Sequence, residues 1–365
     1  MISRAFDLLA RRIDGPLMAA IALTVALGLT VVYSASGGGS PDRVLGQGRN
    51  VALALVALWL FAQVPPQTLM RLALPAYIAG LALLVGVALF GEVRNGARRW
   101  LNFGFTTLQP SEVMKIAVPL VLAWYFHRHE ESLRLRDFVL AGIVLAIPVG
   151  LIARQPDLGT ALLVFASGFF VIFLAGLSWK VLLSVVAAAG AAVPFVWPML
   201  HSYQRDRILT LLDPMQDPLG AGYHIIQSTI AIGSGGILGK GWLNGTQAQL
   251  DFVPERSTDF ILAVFGEEFG LFGTVSLIVL YALIIGRGMM IAANASTVFS
   301  RLTAGAITLT FFTYAFVNMG MVSGILPVVG VPLPMISYGG TALISVLAGL
   351  GILMSISTHK QLVSS

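Results

Sequence analysis

Three of the chain's 17 acidic side chains stand within nine positions of one another: Asp259, Glu267 and Glu268, in PERSTDFILAVFGEEFG at residues 254–270. A polar loop turns there into an apolar segment. A carboxylate at the mouth of such a segment can take a proton as a general base or ligate a divalent cation. The plainer reading of Asp259 is a first-turn acid favoured by the helix dipole. Glu267 and Glu268 lie deeper, about 12–14 Å along a helix axis. A charge at mid-bilayer costs at least about 2.5 kcal/mol, so the pair must face a polar interior, be protonated or find partners. Gly266 and Gly270 flank it in a GxxxG arrangement that commonly marks close helix packing, and a structural role is favoured for both glutamates.

Further polar groups open other apolar segments. QPSEVMK, 109–115, sets Glu112 and Lys115 three residues apart on one helical face, either a local ion pair or a polar wall of a substrate cavity. QPDLGTA, 155–161, places Asp157 at a segment start directly after Arg154 and Gln155-Pro156, where capping is the alternative role. VRNGARRWLNFG, 93–104, carries Arg98, Arg99 and Trp100, and YQRDR, 203–207, adds Arg205 and Arg207. Such a cluster is often an interfacial anchor, yet guanidinium groups also bind phosphate in bidentate fashion. GSGGILGKG, 233–241, lacks the glycine and the hydroxyl residue a phosphate-binding P-loop needs, and the five histidines include no HExxH pair and no zinc spacing.

The elements that position these groups are membrane spans. Hydrophobic residues make up 57% of the chain and charged residues 11%, with a mean hydropathy of +0.86, which marks an all-α polytopic membrane protein rather than a soluble domain. About ten transmembrane helices are expected, near 15–34, 50–64, 72–91, 110–126, 138–153, 158–176, 180–200, 259–285, 303–325 and 336–357. Arg4, Arg11 and Arg12 precede the first, which puts the N-terminus, and with an even span number the C-terminus, in the cytoplasm. Lys and Arg otherwise divide almost evenly between the two sides. The whole chain, 1–365, reads as a single integral membrane domain, with 201–258 a long extracytoplasmic loop between helices seven and eight. Its part from 223 to 238 is apolar enough to lie in the interface or re-enter the bilayer. GILPVVGVPLPMISYGG, 324–340, holds three prolines and four glycines and is expected as a rigid external turn. Absence of cysteine excludes disulfides and thiolate chemistry. The basic residues, scattered through loops, do not suit nucleic acid.

NGARRWL, QPSE with Lys115, QPDLGTA, GAGYHIIQS with GSGG, PERSTDFI with GEEFG and PVVGVPLPMISYGGTALI occur in order along nearly the whole chain. In these the sequence resembles the SEDS family (shape, elongation, division and sporulation) of bacterial cell-wall polymerases, and PLP before Ser337-Tyr338 resembles its elongation branch. The resemblance implies a ten-helix peptidoglycan glycosyltransferase in the bacterial inner membrane. It implies polymerisation of lipid II on the outer face, with the elongation machinery and a class B penicillin-binding protein transpeptidase as partners. The family's essential acid falls on Asp259, and its functional Glu, Lys and Asp on Glu112, Lys115 and Asp157. Many relatives carry His where this chain has Ser257, so no mechanism should lean on an imidazole at that position.

Such chemistry needs a base for the attacking hydroxyl and cations for a diphosphate leaving group. Asp259 is the candidate base, or else the ligand of a divalent cation, magnesium or manganese. Lys115, Arg98, Arg99, Arg205 and Arg207 are candidates for the diphosphate. Two other classes compete. A lipid II flippase would line a path with Glu112, Lys115 and Asp157, and a scaffold would use the Pro-rich 324–340 turn to recruit the transpeptidase.

Overall fold

The structure is a computed structural model that describes residues 12–37, 41–94, 97–102, 107–199, 202–216, 218, 221–250 and 252–359. In chain order its helices are α1 (Gly15–Ala35), α2 (Pro41–Gln63), α3 (Pro66–Phe90), α4 (Pro110–Arg128), α5 (Leu135–Ala153), α6 (Leu158–Leu174), α7 (Trp179–Val196), α8 (Ser202–Leu212), α9 (Ala221–Gly235), α10 (Thr246–Gln249), α11 (Ile261–Ala293), α12 (Val298–Val322) and α13 (Thr341–Thr358). The ten expected spans coincide with α1 to α7 and α11 to α13. Among the described residues, eight helices are long and apolar enough to cross a membrane. The protein is an all-α, multi-pass membrane protein.

Local chemistry sets many of the helix starts. Asp14, Asp157 and Thr297 cap α1, α6 and α12 by accepting from the backbone N–H three residues on, and proline occupies the first turn of α1, α3 and α4. At one end of the bundle Arg287 clamps Asp14 with two hydrogen bonds of 2.9 and 2.7 Å, and Ser357 Oγ donates to the same carboxylate at 2.7 Å. One buried acid thereby ties α1, α11 and α13 together.

The structure departs from the sequence-based expectations in four places. First, α2 begins at Pro41 rather than near 50, because its polar first turns have a partner. Gln47 Nε2 donates to Ser337 O and its Oε1 accepts from Gly339 N, both at 3.2 Å. Second, the Arg and Trp run forms strands β1 (Glu92–Arg94), β2 (Ala97–Asn102) and β3 (Thr107–Leu108), antiparallel with Glu92 opposite Trp100 and Leu101 opposite Leu108. Third, the Pro-rich segment is irregular but not external. Val331, Leu333, Met335, Ile336 and Ser337 are buried, and Tyr281 of α11 donates to Pro334 O at 2.6 Å.

Fourth, α11 is two helices. At 33 residues it would run about 50 Å if straight, but Gly270, at φ 62° and ψ −160°, breaks it. A break in a membrane helix exposes backbone groups that lipid cannot satisfy. Here the loop after α9 fills it. Lys240 N and Gly241 N donate to Glu267 O and Glu268 O at 3.0 Å, while Leu271 N and Phe272 N donate to Gly236 O and Ile237 O at 2.9 and 3.0 Å. Four carbonyls and four amides across the gap are thus paired. A Cβ on Gly270 would lie 2.4 Å from Gly239 N, so both the backbone angles and the close approach require glycine.

Gly270→Ala should therefore cost on the order of 1–3 kcal/mol or more, whereas Gly286→Ala in the same helix, where a Cβ meets nothing within 4 Å, should be neutral or slightly stabilising. Thermal unfolding of the two purified variants in one detergent checks this; equal midpoints would contradict the account of the break.

Candidate active site

Asp259 stands in the turn that leads into α11. That turn is pinned by its backbone. Tyr338 N donates to Ser257 O at 2.8 Å, Ser337 Oγ to Thr258 O at 2.6 Å, and Asn318 Nδ2 to Asp259 O at 2.8 Å. The other Asn318 amide hydrogen reaches Val331 O at 2.7 Å, so one side chain of α12 joins the turn to the Pro-rich segment. The carboxylate itself is left over: among the described residues it makes no hydrogen bond and no ion pair. Gly330, at φ 71°, passes so close that a Cβ there would lie 3.3 Å from Asp259 Oδ2. Burial, reinforced by the nearby Glu255 carboxylate, pushes the Asp259 carboxyl up to about 6. At neutral pH it is ionised yet more basic than an ordinary carboxylate, which suits a proton acceptor.

Lys115 and Glu112 sit one turn away. Lys115 Nζ donates to Glu112 Oε1 at 2.6 Å and to the hydroxyl of Tyr314, and Ser345 Oγ donates to Glu112 Oε2 at 2.5 Å. All of these polar atoms lie in a buried knot that joins α4, α12 and α13. Tyr314 and Asn318 are four residues apart on α12, so the Lys115 and Asp259 contacts with that helix lie about 6 Å apart along its axis. The two sites thus contact the same helix one turn apart.

Asp157 approaches from the third side. Its Oδ1 caps α6 through Thr160 N, and its Oδ2 accepts from Gln109 Nε2 at 3.2 Å with Arg99 Nε at 3.7 Å. Arg99 also donates to Pro156 O at 2.7 Å, while its buried Nε has no hydrogen-bond partner. Gly159 packs against Val329 O. The 329–331 segment therefore lies between the Asp157 end of α6 and the Asp259 turn.

The remaining candidates divide. Arg98 is exposed on β2, where alternation points neighbours to opposite faces. Arg205 donates to Pro198 O at 3.0 Å within the α7–α8 connection, and no hydrogen bond or ion pair brings it to Asp259. The Arg207 side chain lies outside the described residues. Glu267 is fully buried and accepts from Lys240 Nζ at 2.6 Å, Thr246 Oγ1 at 3.0 Å and Gln247 N. Glu268 accepts from Ser34 Oγ at the end of α1. Glu267 and, beside Gly245, Glu268 thus lie against the segment around the helix break, and no hydrogen bond joins either to Asp259.

Sequence reasoning missed Tyr314, Ser345, Asn318, Gln109 and His224. For two of them a signal existed: Thr310, Tyr314 and Asn318 fall at successive fourth positions of an apolar span, a polar stripe on one helix face. His224, on α9, packs its ring against Phe260 at 5.4 Å, beside the Asp259 turn. Next to the knot opens an apolar cavity of about 500 Å³, walled by α2, α3, α4 and α13, with Glu112, Gln109 and Ser345 at its polar edge.

Residues 16–362 match the model of the FtsW/RodA/SpoVE family, described as cell cycle proteins. The chain is 53% identical to the peptidoglycan glycosyltransferase MrdB of Escherichia coli K12 over 337 residues, 92% of this chain and 90% of that protein. It is 37% identical to the MrdB of Helicobacter pylori J99 over 87% of this chain and 84% of that one. Among solved structures, a chain from work on structural coordination of polymerization and crosslinking by a peptidoglycan synthase complex superposes with a TM-score of 0.83 at 38% identity, covering 94% of this chain and 97% of that one. The rod shape determining protein RodA of Thermus thermophilus gives 0.73 at 30% identity, over 96% and 98%. The chain belongs to the FtsW/RodA/SpoVE family of cell cycle proteins.

Proposed function

We propose that the protein is a peptidoglycan glycosyltransferase of cell elongation that polymerises lipid II into glycan strands. The observation that carries this is Asp259: a partly buried carboxylate of raised basicity, without a partner, on a turn whose backbone is fixed at three successive residues. In the reaction the C4 hydroxyl of an acceptor GlcNAc attacks C1 of a donor MurNAc. The new C–O bond forms with inversion as the bond from C1 to undecaprenyl diphosphate breaks. The hydroxyl proton passes to Asp259. Lys115 and Arg99 are the proposed cations for the diphosphate, with Glu112 and Asp157 orienting them through the ion pairs above. The apolar cavity beside Glu112 suits the isoprenoid chain of the donor.

A divalent cation fits Asp259 with Glu255 as a second carboxylate, since magnesium commonly takes one or two carboxylates together with substrate phosphates. No cluster of three or more His, Asp or Glu side chains that could hold a metal occurs among the described residues, so diphosphate oxygens would complete its shell. When bound, it would neutralise charge on the leaving group.

We place the active end on the outer face of the bacterial inner membrane with both termini cytoplasmic, the whole chain one integral domain and 201–258 extracytoplasmic. A class B penicillin-binding protein is the proposed crosslinking partner, a reading supported by the likeness to a chain of a synthase complex that coordinates polymerization and crosslinking. A flippase is the weaker reading. A transport path wants polar groups through the full depth of the membrane, whereas Asp157, Glu112 and Asp259 cap, open or immediately precede their helices.

Asp259→Asn should lower glycan formation from purified lipid II by about 10²–10⁴-fold with the fold intact; a variant that still polymerises would sink the assignment. Adding a chelator to the wild type separates the roles, because loss of activity restored by magnesium or manganese marks a cation at Asp259, and indifference marks a base alone. The pH dependence has a definite sign. Activity should fall as pH drops through about 6, where the Asp259 carboxyl takes up its proton. Glu255→Gln removes one of the two causes of that raised value, so the acid limb of the rate profile should move to lower pH, and an unmoved limb would show that another group sets it.

A further inference from the structure

At the end of the bundle away from Asp259, a second cavity of about 210 Å³ lies where α3, α4, α12 and α13 meet. The distance from Thr297, on its wall, to Asn318 at the Asp259 turn is 21 residues of α12, or about 30 Å. The lining is polar for a site between membrane helices: Gln67, His127, Ser296, Thr297, Ser300 and His359. A single water needs roughly 10–15 Å³ of such space, so this cavity has room for a much larger group. None of its residues takes part in the chemistry described above.

Two features give the cavity a sign. His359 Nδ1 lies 2.9 Å from Ser355 O. A carbonyl only accepts, so Nδ1 carries the hydrogen, and among the described residues the buried Nε2 is left with no hydrogen-bond partner. That nitrogen either takes a donor from a ligand or, once protonated, donates to an anion. Basic residues flank the lining in sequence: Arg71, Arg128 and Arg301 are exposed, each is the chain neighbour of a lining residue, Met70, His127 and Ser300, and among the described residues none forms an ion pair, although Arg128 stacks over the Trp124 ring at 4.9 Å. Among the described residues the acid that pairs with a lining side chain is Glu130, on His127 Nδ1 at 3.0 Å. The first turn of α12, with its positive dipole end, opens on the same space.

We propose that this cavity is a binding site for the phosphate ester of an anionic phospholipid headgroup in the leaflet opposite the active end. Guanidinium groups flanking the lining match phosphate, and basic pockets between membrane helices are a recurrent way of holding anionic lipid. Three of the four bordering helices, α4, α12 and α13, also carry the Lys115, Tyr314 and Ser345 knot near their other ends. A headgroup here clamps the same helices that hold the active-site cations. A basic membrane end alone is explained by topology, but topology does not call for headgroup selectivity or a bound group in a cavity.

The test is thermal unfolding of the full-length protein in detergent with added phosphatidylglycerol, phosphatidylcholine or inorganic phosphate. The expected result is a rise of several degrees in midpoint with phosphatidylglycerol, saturable, and none with phosphatidylcholine. The rise should be abolished in Arg71→Gln/Arg128→Gln/Arg301→Gln and reduced in His359→Phe. Equal effects of the two lipids, or a phosphatidylglycerol effect unchanged in the triple variant, overturns the proposal. A rise with inorganic phosphate as large as with phosphatidylglycerol overturns the lipid as source. Should the variants not fold, wild type labelled with a phosphatidylglycerol bearing a photoreactive headgroup decides: cross-links in 124–131 or 296–301 support the site, and cross-links confined elsewhere reject it.

Discussion

The geometry of the active end depends on one constraint, that backbone polar groups within a membrane protein must find partners inside the protein. A straight α11 would meet it without help but would carry the 261–269 segment on along its axis. The break at Gly270 redirects that segment at the cost of opening the helical ladder. The loop 236–241 closes the ladder again with backbone hydrogen bonds on both sides of the gap. Glu267 then fastens that loop through Lys240 and Thr246, while Glu268 ties the half-helix to α1 through Ser34. The half-helix that begins beside Asp259 is consequently held at its far end by the loop and at its near end by Asn318, Ser337 and Tyr338.

This division explains why acids so close in sequence have different fates. A buried carboxylate with an ammonium and two or three further donors is a stable strut, and removing a partner from such a group is expensive. Glu267 has those donors. Asp14, at the other end of the bundle, has an arginine and a serine. Asp259 has none of its own, and the neighbour that acts on it most is another carboxylate. Among the described residues the fold supplies partners to its other buried acids and none to the Asp259 carboxylate, and perturbed groups of this kind concentrate at functional sites.

The sequence disclosed the spans and the polar residues that open them, because apolar length and first-turn chemistry are local. Glu112 with Lys115 was legible as an i, i+3 pair, and its position on a helix is as expected. Tyr314 and Ser345 were not legible as its partners, since they lie about 200 residues or more away in the chain and only the packing of α4, α12 and α13 brings them together. The Pro-rich segment shows a different failure. Its prolines and glycines rightly excluded a helix, but composition carries no information about depth, and the segment turns inward because Tyr281, Asn318 and Gln47 satisfy its carbonyls. The β1–β3 sheet was hidden for a related reason: its strands are two to six residues long and rich in arginine, so no apolar alternation announces them.

The position of the 500 Å³ cavity bears on how a lipid-linked donor reaches a fixed base. An isoprenoid chain cannot leave the hydrocarbon, and a diphosphate cannot enter it unpaired. A site for both must set cations at the membrane surface and an apolar channel directly beneath them. Glu112 meets this requirement in one residue: one carboxylate oxygen holds Lys115, the other accepts from Ser345, and its flank walls the cavity. In the proposed reaction the Glu112–Lys115 pair thereby marks the boundary between headgroup and tail. The Asp259 turn, whose contact with α12 lies about one helical turn from that of Lys115, would stand on the polar side of that boundary with the sugar attached to the diphosphate. The donor would then need no passage through the bundle for its reacting carbon to meet the proposed base.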